Sequence, residues 1–101
     1  IVENNGAIAN MQDDAMVEVV CELGINGPRP MSVGNIPQFY LGLLVQQVSC
    51  EKLLVDAYYE HSYQKALEAF TLNRLINDAK VARKILDALI EANKGMWPEL
   101  K

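Results

Sequence analysis

One histidine, two cysteines and thirteen carboxylates are the groups of this 101-residue chain that could hold a metal, activate a nucleophile or move a proton. His61 stands alone in Glu60-His61-Ser62. A metal site needs several converging ligands, and the chain carries neither an H-E-x-x-H pair nor a Cys/His cluster. His61 therefore reads as a polar residue at a helix junction. Cys21 and Cys50 form no C-x-x-C pair, and nothing local supplies the base or positive environment that a reactive thiolate needs. They read as buried thiols of a reducing compartment rather than as a disulfide. Glu18 and Glu22 are four residues apart, which in a strand is about 13 Å, too wide for a paired-carboxylate hydrolase. Asp13 and Asp14 decorate a turn. Tyr40, Tyr58, Tyr59 and Tyr63 cluster around helix ends and read as core or interface anchors. The serine-hydrolase elbow, the dinucleotide fingerprint and the phosphate loop have no match in the sequence. The catalytic, cofactor-binding and metal-binding sets are empty, and the local chemistry is that of a structural or interaction module.

The elements that would carry these residues fall into two blocks, strands over about 1–34 and helices over about 36–95. Asn4-Asn5-Gly6 predicts a tight turn or a backbone with positive φ, with a short strand over Ala7 to Met11. Ala15 to Ile25 is Val-rich and predicts a strand with one wet side. Asn26-Gly27-Pro28-Arg29-Pro30 predicts the turn of a hairpin, and Met31 to Gly34 its returning strand. Ile36 to Glu60 predicts one long helix, or two meeting near Ser49. Asn35 would cap it, with Pro37 in the first turn. Ile36, Tyr40, Leu43, Leu44, Val48, Leu54, Val55 and Tyr58 form its broad apolar face. Phe39, Leu41, Val45, Leu53 and Ala57 fall outside that face, so the helix must be covered on several sides. Gly42 would mark a close helix contact. Ser62 caps the next helix, whose face is Tyr63, Ala66, Leu67 and Phe70. Asn77 would cap the last, running to about Asn93 with a stripe of Val81, Ala82, Ile85, Leu86, Leu89 and Ile90. Gly95 and Pro98 end it, and Trp97 pins the tail. Strands followed by helices predict an α+β fold: a small antiparallel sheet of two or three strands, then three helices.

Half of the residues are hydrophobic, 22% are charged and the net charge is −4, which fits one globular unit of common domain size. The acidic balance excludes a nucleic-acid surface or an anionic membrane surface, both of which need clustered Lys and Arg. Lys80, Arg83 and Lys84 are the densest basic cluster and read as a solvated helix face. Gln46, Gln47, Glu51 and Lys52 interrupt the best apolar stretch, so no membrane-spanning helix is predicted. The chain opens on Ile1-Val2 without a signal peptide, which reads as a piece of a longer protein.

Six segments carry a family resemblance: VENNGAIAN (2–10), MVEV-x-C (16–21), NGPRP (26–30), VG-x-IPQF (33–39), QQVS-x-EKL (46–53) and ARKILDALIEANK-x-MWPEL (82–100). Over nearly its whole length the chain resembles the C-terminal part of the NAD-dependent glycosidases of glycoside hydrolase family four, most of all the 6-phospho-α-glucosidases. It departs at Val20, where the family commonly has Pro before the cysteine. The resemblance implies the C-terminal domain of a larger, Rossmann-containing cytoplasmic enzyme that hydrolyses phosphorylated disaccharides. The implied cofactors are NAD and manganese, or another divalent metal, in the full-length enzyme and none on this segment alone. The implied mechanism is an exception to the two-carboxylate rule: oxidation at carbon 3 of the sugar acidifies carbon 2, the aglycone leaves by elimination, and a divalent metal stabilises the enolate.

The family's dinucleotide loop, metal-binding Cys and His, acid Asp and base Tyr all lie upstream, and none matches a position here. Cys21 and His61 are not that metal pair. The implied partners are the upstream part of the same enzyme and further copies of it, in a homo-oligomer. Two alternatives stand beside this: a free-standing oligomerisation module, and a 6-phospho-β-glucosidase of the same family.

Overall fold

The computed structural model describes residues 1–76 and 78–101, and places four short strands before three helices. The strands are β1 (Val2–Glu3), β2 (Met16–Val17), β3 (Cys21–Gly24) and β4 (Gly27–Pro30); the helices are α1 (Gln38–Glu60), α2 (Tyr63–Leu72) and α3 (Ala79–Ala92). The α+β order is as predicted, but the expected single sheet is two antiparallel pairs, β1 with β2 and β3 with β4. The chain divides into two compact units, Ile1–Val45 and Gln46–Lys101.

In the first unit the predicted strand from Ala15 to Ile25 is broken at residues 18–20. The hairpin turn is also displaced: Ile25 and Asn26 form it, and Gly27, at φ 96, already pairs with Gly24. The returning strand is therefore Gly27–Pro30 itself and not Met31 to Gly34. Pro28 and Pro30 are tolerated there because they alternate with Arg29, so the ladder draws its donor from the position between them. Val33 and Gly34 instead meet the Ala7–Ala9 segment. Val33 N–H donates to Ala7 O (2.7 Å), Ala9 N–H to Gly34 O (2.9 Å), and Ile8 and Gly34 form a parallel bridge. Ala7 to Met11 is thus no independent strand, since one bridge is all the pairing it makes among the described residues.

Helix α1 is continuous, without a break at Ser49. It starts at Gln38 and not after Asn35: the Pro37 carbonyl accepts from Leu41 N–H at 3.1 Å. Proline disfavours helical backbone at the residue before it, so Ile36 and Asn35 stay outside. The covered side of α1 also differs from the predicted broad face. Val48, Cys50 and Ala57 are buried, while Tyr40, Leu44, Val55 and Tyr58 are exposed. The reason lies in the second unit, where Ala57, Ala66 and Leu86 form the core cluster and Tyr63, Leu67, Phe70, Ile90 and Leu100 pack on it. Small side chains at the contact let helix backbones approach closely, so α1 turns its alanine inward and its aromatics outward. A Cβ at Gly42 would meet nothing within 4 Å among the described residues, so none of them makes the close contact expected at that glycine.

The helix ends follow the sequence more closely. Ser62 Oγ accepts from Lys65 N–H (3.3 Å) and caps α2 as predicted. Asn77 lies outside the described residues. Asp78 caps α3, its carboxylate accepting from Lys80 N–H (2.7 Å) and Val81 N–H (3.0 Å). The α3 stripe splits, with Ala82 and Leu86 buried but Val81, Ile85 and Leu89 exposed.

Candidate functional site

His61 joins α1 to α2 in a left-handed conformation, φ 57, a region that histidine tolerates better than most residues. Ser62 N–H reaches back to Ala57 O at 3.0 Å, the six-to-one bond of a Schellman ending. The C-terminal tail closes over this corner. Lys101 N–H donates to His61 O (2.8 Å), Tyr63 N–H donates to Lys101 O (3.0 Å), and the ring Nδ1 of His61 lies 3.2 Å from Glu99 O. Trp97 stacks edge-on against Tyr58 with centroids 6.0 Å apart, so tryptophan does anchor the tail. Lys65 braces the corner from outside, 2.7 Å from Glu60 and 3.2 Å from Asp56. These bonds, Glu60 first, raise its pKa. The histidine is a joint, as its sequence neighbourhood indicated.

Neither cysteine is set up as a nucleophile. Both are free, and they lie in different units. Cys21 sits half-buried in β3 with its thiol 3.4 Å from Val19 O. Cys50 is buried on α1, and burial is the main force pushing its thiol above the ordinary range, with Glu51 adding to it. A thiol held protonated is unreactive. Glu22 is taken by Arg29 across the hairpin, and Glu18 lies in the break after β2. Asp13 and Asp14 do form a turn. Tyr63 donates to Asp87 at 2.7 Å, which raises the phenol's pKa. Tyr40 and Tyr58 are exposed beside Phe39 and Tyr59 respectively. Among the described residues no three His, Cys, Asp or Glu side chains lie together as a metal site, and no helix is long and apolar enough to cross a membrane.

Two features are better built than any of these. The first is Asn4, fully buried in the first unit. Its amide nitrogen donates to Ile8 O (3.0 Å), Met11 O (3.2 Å) and Gln12 O (3.1 Å), and its Oδ1 accepts from Ile8 N–H (2.7 Å). Asn5 and Gly6 follow at φ 41 and 83, as the Asn-Asn-Gly string predicted. Asn10 clamps the Ile36 backbone at 3.0 Å through both of its amide atoms. Sequence reasoning missed the roles of Asn4 and Asn10. The only signal was the density of asparagine and glycine, which suit side-chain-to-backbone bonding. The second feature, in the other unit, is an apolar groove of ≈ 440 Å³ lined by Cys50, Leu54, Phe70, Ile76 and Ile85 among others. It offers apolar contact but no paired acid and base. These features scaffold the backbone of one unit and offer an apolar contact surface on the other.

Comparison with known proteins gives this scaffold a context. A family model described as Family 4 glycosyl hydrolase C-terminal domain matches residues 1–76. The maltose-6'-phosphate glucosidase of Bacillus subtilis (strain 168) is 59% identical over 100 residues, 99% of this chain and 22% of that protein. The probable 6-phospho-beta-glucosidase of the same organism is 43% identical over 96 residues, 95% of this chain and 22% of that protein. A solved 6-phospho-alpha-glucosidase from gut microorganisms, in complex with NAD and Mn2+, matches with a TM-score of 0.96 and 90% identity, over 99% of this chain and 23% of its own. The chain spans less than a quarter of the length of these relatives.

Proposed function

The chain belongs to the family 4 glycosyl hydrolases, and from that membership we propose that residues 1–101 form the C-terminal segment of a 6-phospho-α-glucosidase. The enzyme it completes would hydrolyse phosphorylated α-glucosides by an NAD- and metal-dependent redox elimination. The observation that carries the anomeric assignment is the fall in identity within one organism, from 59% with the α-enzyme to 43% with the β-enzyme. Length and coverage are nearly matched in the two comparisons, so the difference reflects sequence and not extent.

Within that enzyme this segment holds shape. Its histidine and best-buried cysteine are committed to a helix corner and to packing, so the groups that bind NAD and metal and that move protons belong to the upstream part. The exposed aromatics of α1 are surface for that upstream part to cover. The assembled enzyme is a cytoplasmic homo-oligomer, a setting that suits free thiols, NAD and a sugar phosphate.

The test is hydrolysis of paired chromogenic 6-phospho-α- and 6-phospho-β-glucosides by the full-length enzyme, with NAD and Mn2+ supplied or withheld. The expected result is turnover of the α-substrate only, lost when the metal is chelated and restored by adding Mn2+. Preference for the β-substrate overturns the anomeric assignment. Full activity after both NAD and metal are stripped overturns the mechanism.

A further inference from the structure

Helix α3 carries more apolar surface than its own unit uses. Ala82, Leu86 and Ile90 face inward, where Leu86 joins the core cluster and Ile90 packs against it. Val81, Ile85 and Leu89 repeat the same four-residue spacing about 100° away and remain 46%, 37% and 44% exposed. A helix that only borders one core shows a single apolar arc. Ala88 and Ala92, also exposed, complete the outer stripe.

The stripe is complementary to itself in size and in charge. Set antiparallel to a copy of itself, α3 places Val81 opposite the partner's Ala92 and Ile85 opposite the partner's Ala88. Each large side chain then meets a small one, on both halves of the contact at once. The flank beside the stripe reads Lys80, Lys84, Asp87, Glu91, two cations followed by two anions, all four exposed. A two-fold axis across an antiparallel pair brings this flank against itself reversed. Lys84 then lies against the partner's Glu91, while Asp87 keeps its own-chain bond to the Tyr63 hydroxyl at 2.7 Å. A parallel pair would set this flank against the opposite, uncharged side of the partner's stripe. Within its own chain Glu91 is 3.5 Å from Lys94, an exposed contact that competes little.

We infer that α3 is a subunit-pairing helix, packing antiparallel against α3 of a second copy through Val81, Ile85, Ala88, Leu89 and Ala92. The inference rests on the proposed homo-oligomer but not on the proposed substrate. One helix pair is smaller than a standard protein interface, so other surfaces of the enzyme add to this one, and breaking it should take the assembly down one step.

The test uses the full-length enzyme, followed by light scattering and sedimentation. Ala88→Arg puts a long cation where Ile85 of the second copy must seat, on an exposed helix position that arginine suits. It should halve the mass of the assembly, with self-association weakened by at least about a hundredfold. Lys84→Glu and Glu91→Lys should each weaken it by about tenfold, a 1.4 kcal/mol effect, and the double variant should recover most of the loss. An unchanged mass for Ala88→Arg overturns the inference; if melting temperature falls as well, the stripe is covered by the upstream part of the same chain. A wild-type monomer overturns it too. Hydrolysis of the 6-phospho-α-glucoside, scored on the same wild-type sample, reports separately on the functional reading.

Discussion

The two units of this chain are held together by different chemistry. Gln46–Lys101 is three helical segments meeting at small side chains, with Ala57, Ala66 and Ala82 fully buried. Ile1–Val45 has two strand pairs and one isolated bridge, and its one fully buried large side chain is an amide. The helical unit satisfies its own backbone and needs packing; the loop-rich unit has apolar residues enough but must find partners for its backbone. Asn4 meets that need, its two amide atoms serving four backbone groups. A buried backbone group without a partner costs about 1–3 kcal/mol, so one side chain can outweigh several apolar contacts.

Removing that side chain is the sharpest way to break the comparison. Asn4→Ala should orphan Ile8 N–H and the Met11 carbonyl, while the Ile8 carbonyl keeps Met11 N–H (3.2 Å), and destabilise the first unit by about 4 kcal/mol. Hydrogen exchange on the full-length enzyme should show lost protection at residues 4–15 with α2 and α3 unchanged. Asn4→Asp keeps the acceptor for Ile8 N–H but turns a carboxylate oxygen toward carbonyls, and should be no better. Loss of protection spread evenly over both units would mean that the amide is not a local organiser. The matching break in the helical unit is Ala66→Leu, which forces extra volume between α1, α2 and α3. About 2 kcal/mol is expected, with exchange rising in residues 57–72 and not around Asn4.

The same contrast explains what could be read in the sequence. The limits of α2 and α3 follow from apolar residues at helical spacing and from Ser62 as a cap, local signals that packing reinforces. The inward side of α1 was misjudged because the reading weighted large side chains, whereas the contact is made at Ala57. The hairpin was misplaced because Asn26 to Pro30, rich in Gly and Pro, read as one turn, while the chain turns at Ile25 and Asn26 and uses Gly27 to Pro30 as the returning strand. Asn4 and Asn10 had no periodicity to announce them. Their partners are backbone atoms of residues 8–12 and 36, and backbone atoms leave no mark on side-chain pattern.

Gly42 sharpens the comparison where α1 belongs to the loop-rich unit. An alanine there meets nothing within 4 Å in this chain, so Gly42→Ala should stabilise the 101-residue chain by about 1 kcal/mol through helix propensity. In the full-length enzyme the same substitution separates two cases. A gain of similar size means that α1 is open at this point. A loss means that the upstream part packs close against it, and the glycine is kept for that contact.

The smallest effect expected is a pH dependence confined to the helical unit. Tyr63, Lys65 and Cys50 all have raised pKa values, caused chiefly by the bond to Asp87, the bond to Glu60 and burial respectively. In each case the folded state holds its proton at a pH where the unfolded chain has released it. Stability from these groups is therefore complete below their unfolded values, about 8.5 for Cys, 10 for Tyr and 10.4 for Lys, and is lost as pH rises through the folded ones. Thermal unfolding followed at Trp97, the chain's one tryptophan, should show a midpoint that is flat up to about pH 8.5 and then declines. Tyr63→Phe should lower the midpoint below pH 10 by no more than about 3 °C, because the pair is accessible to water, and should shallow the decline above it. Asn4→Ala should leave the slope unchanged. A Tyr63→Phe curve parallel to wild type throughout would show that the Asp87 bond contributes nothing that titrates, leaving packing against Ala66 and Leu86 as the whole role of that ring.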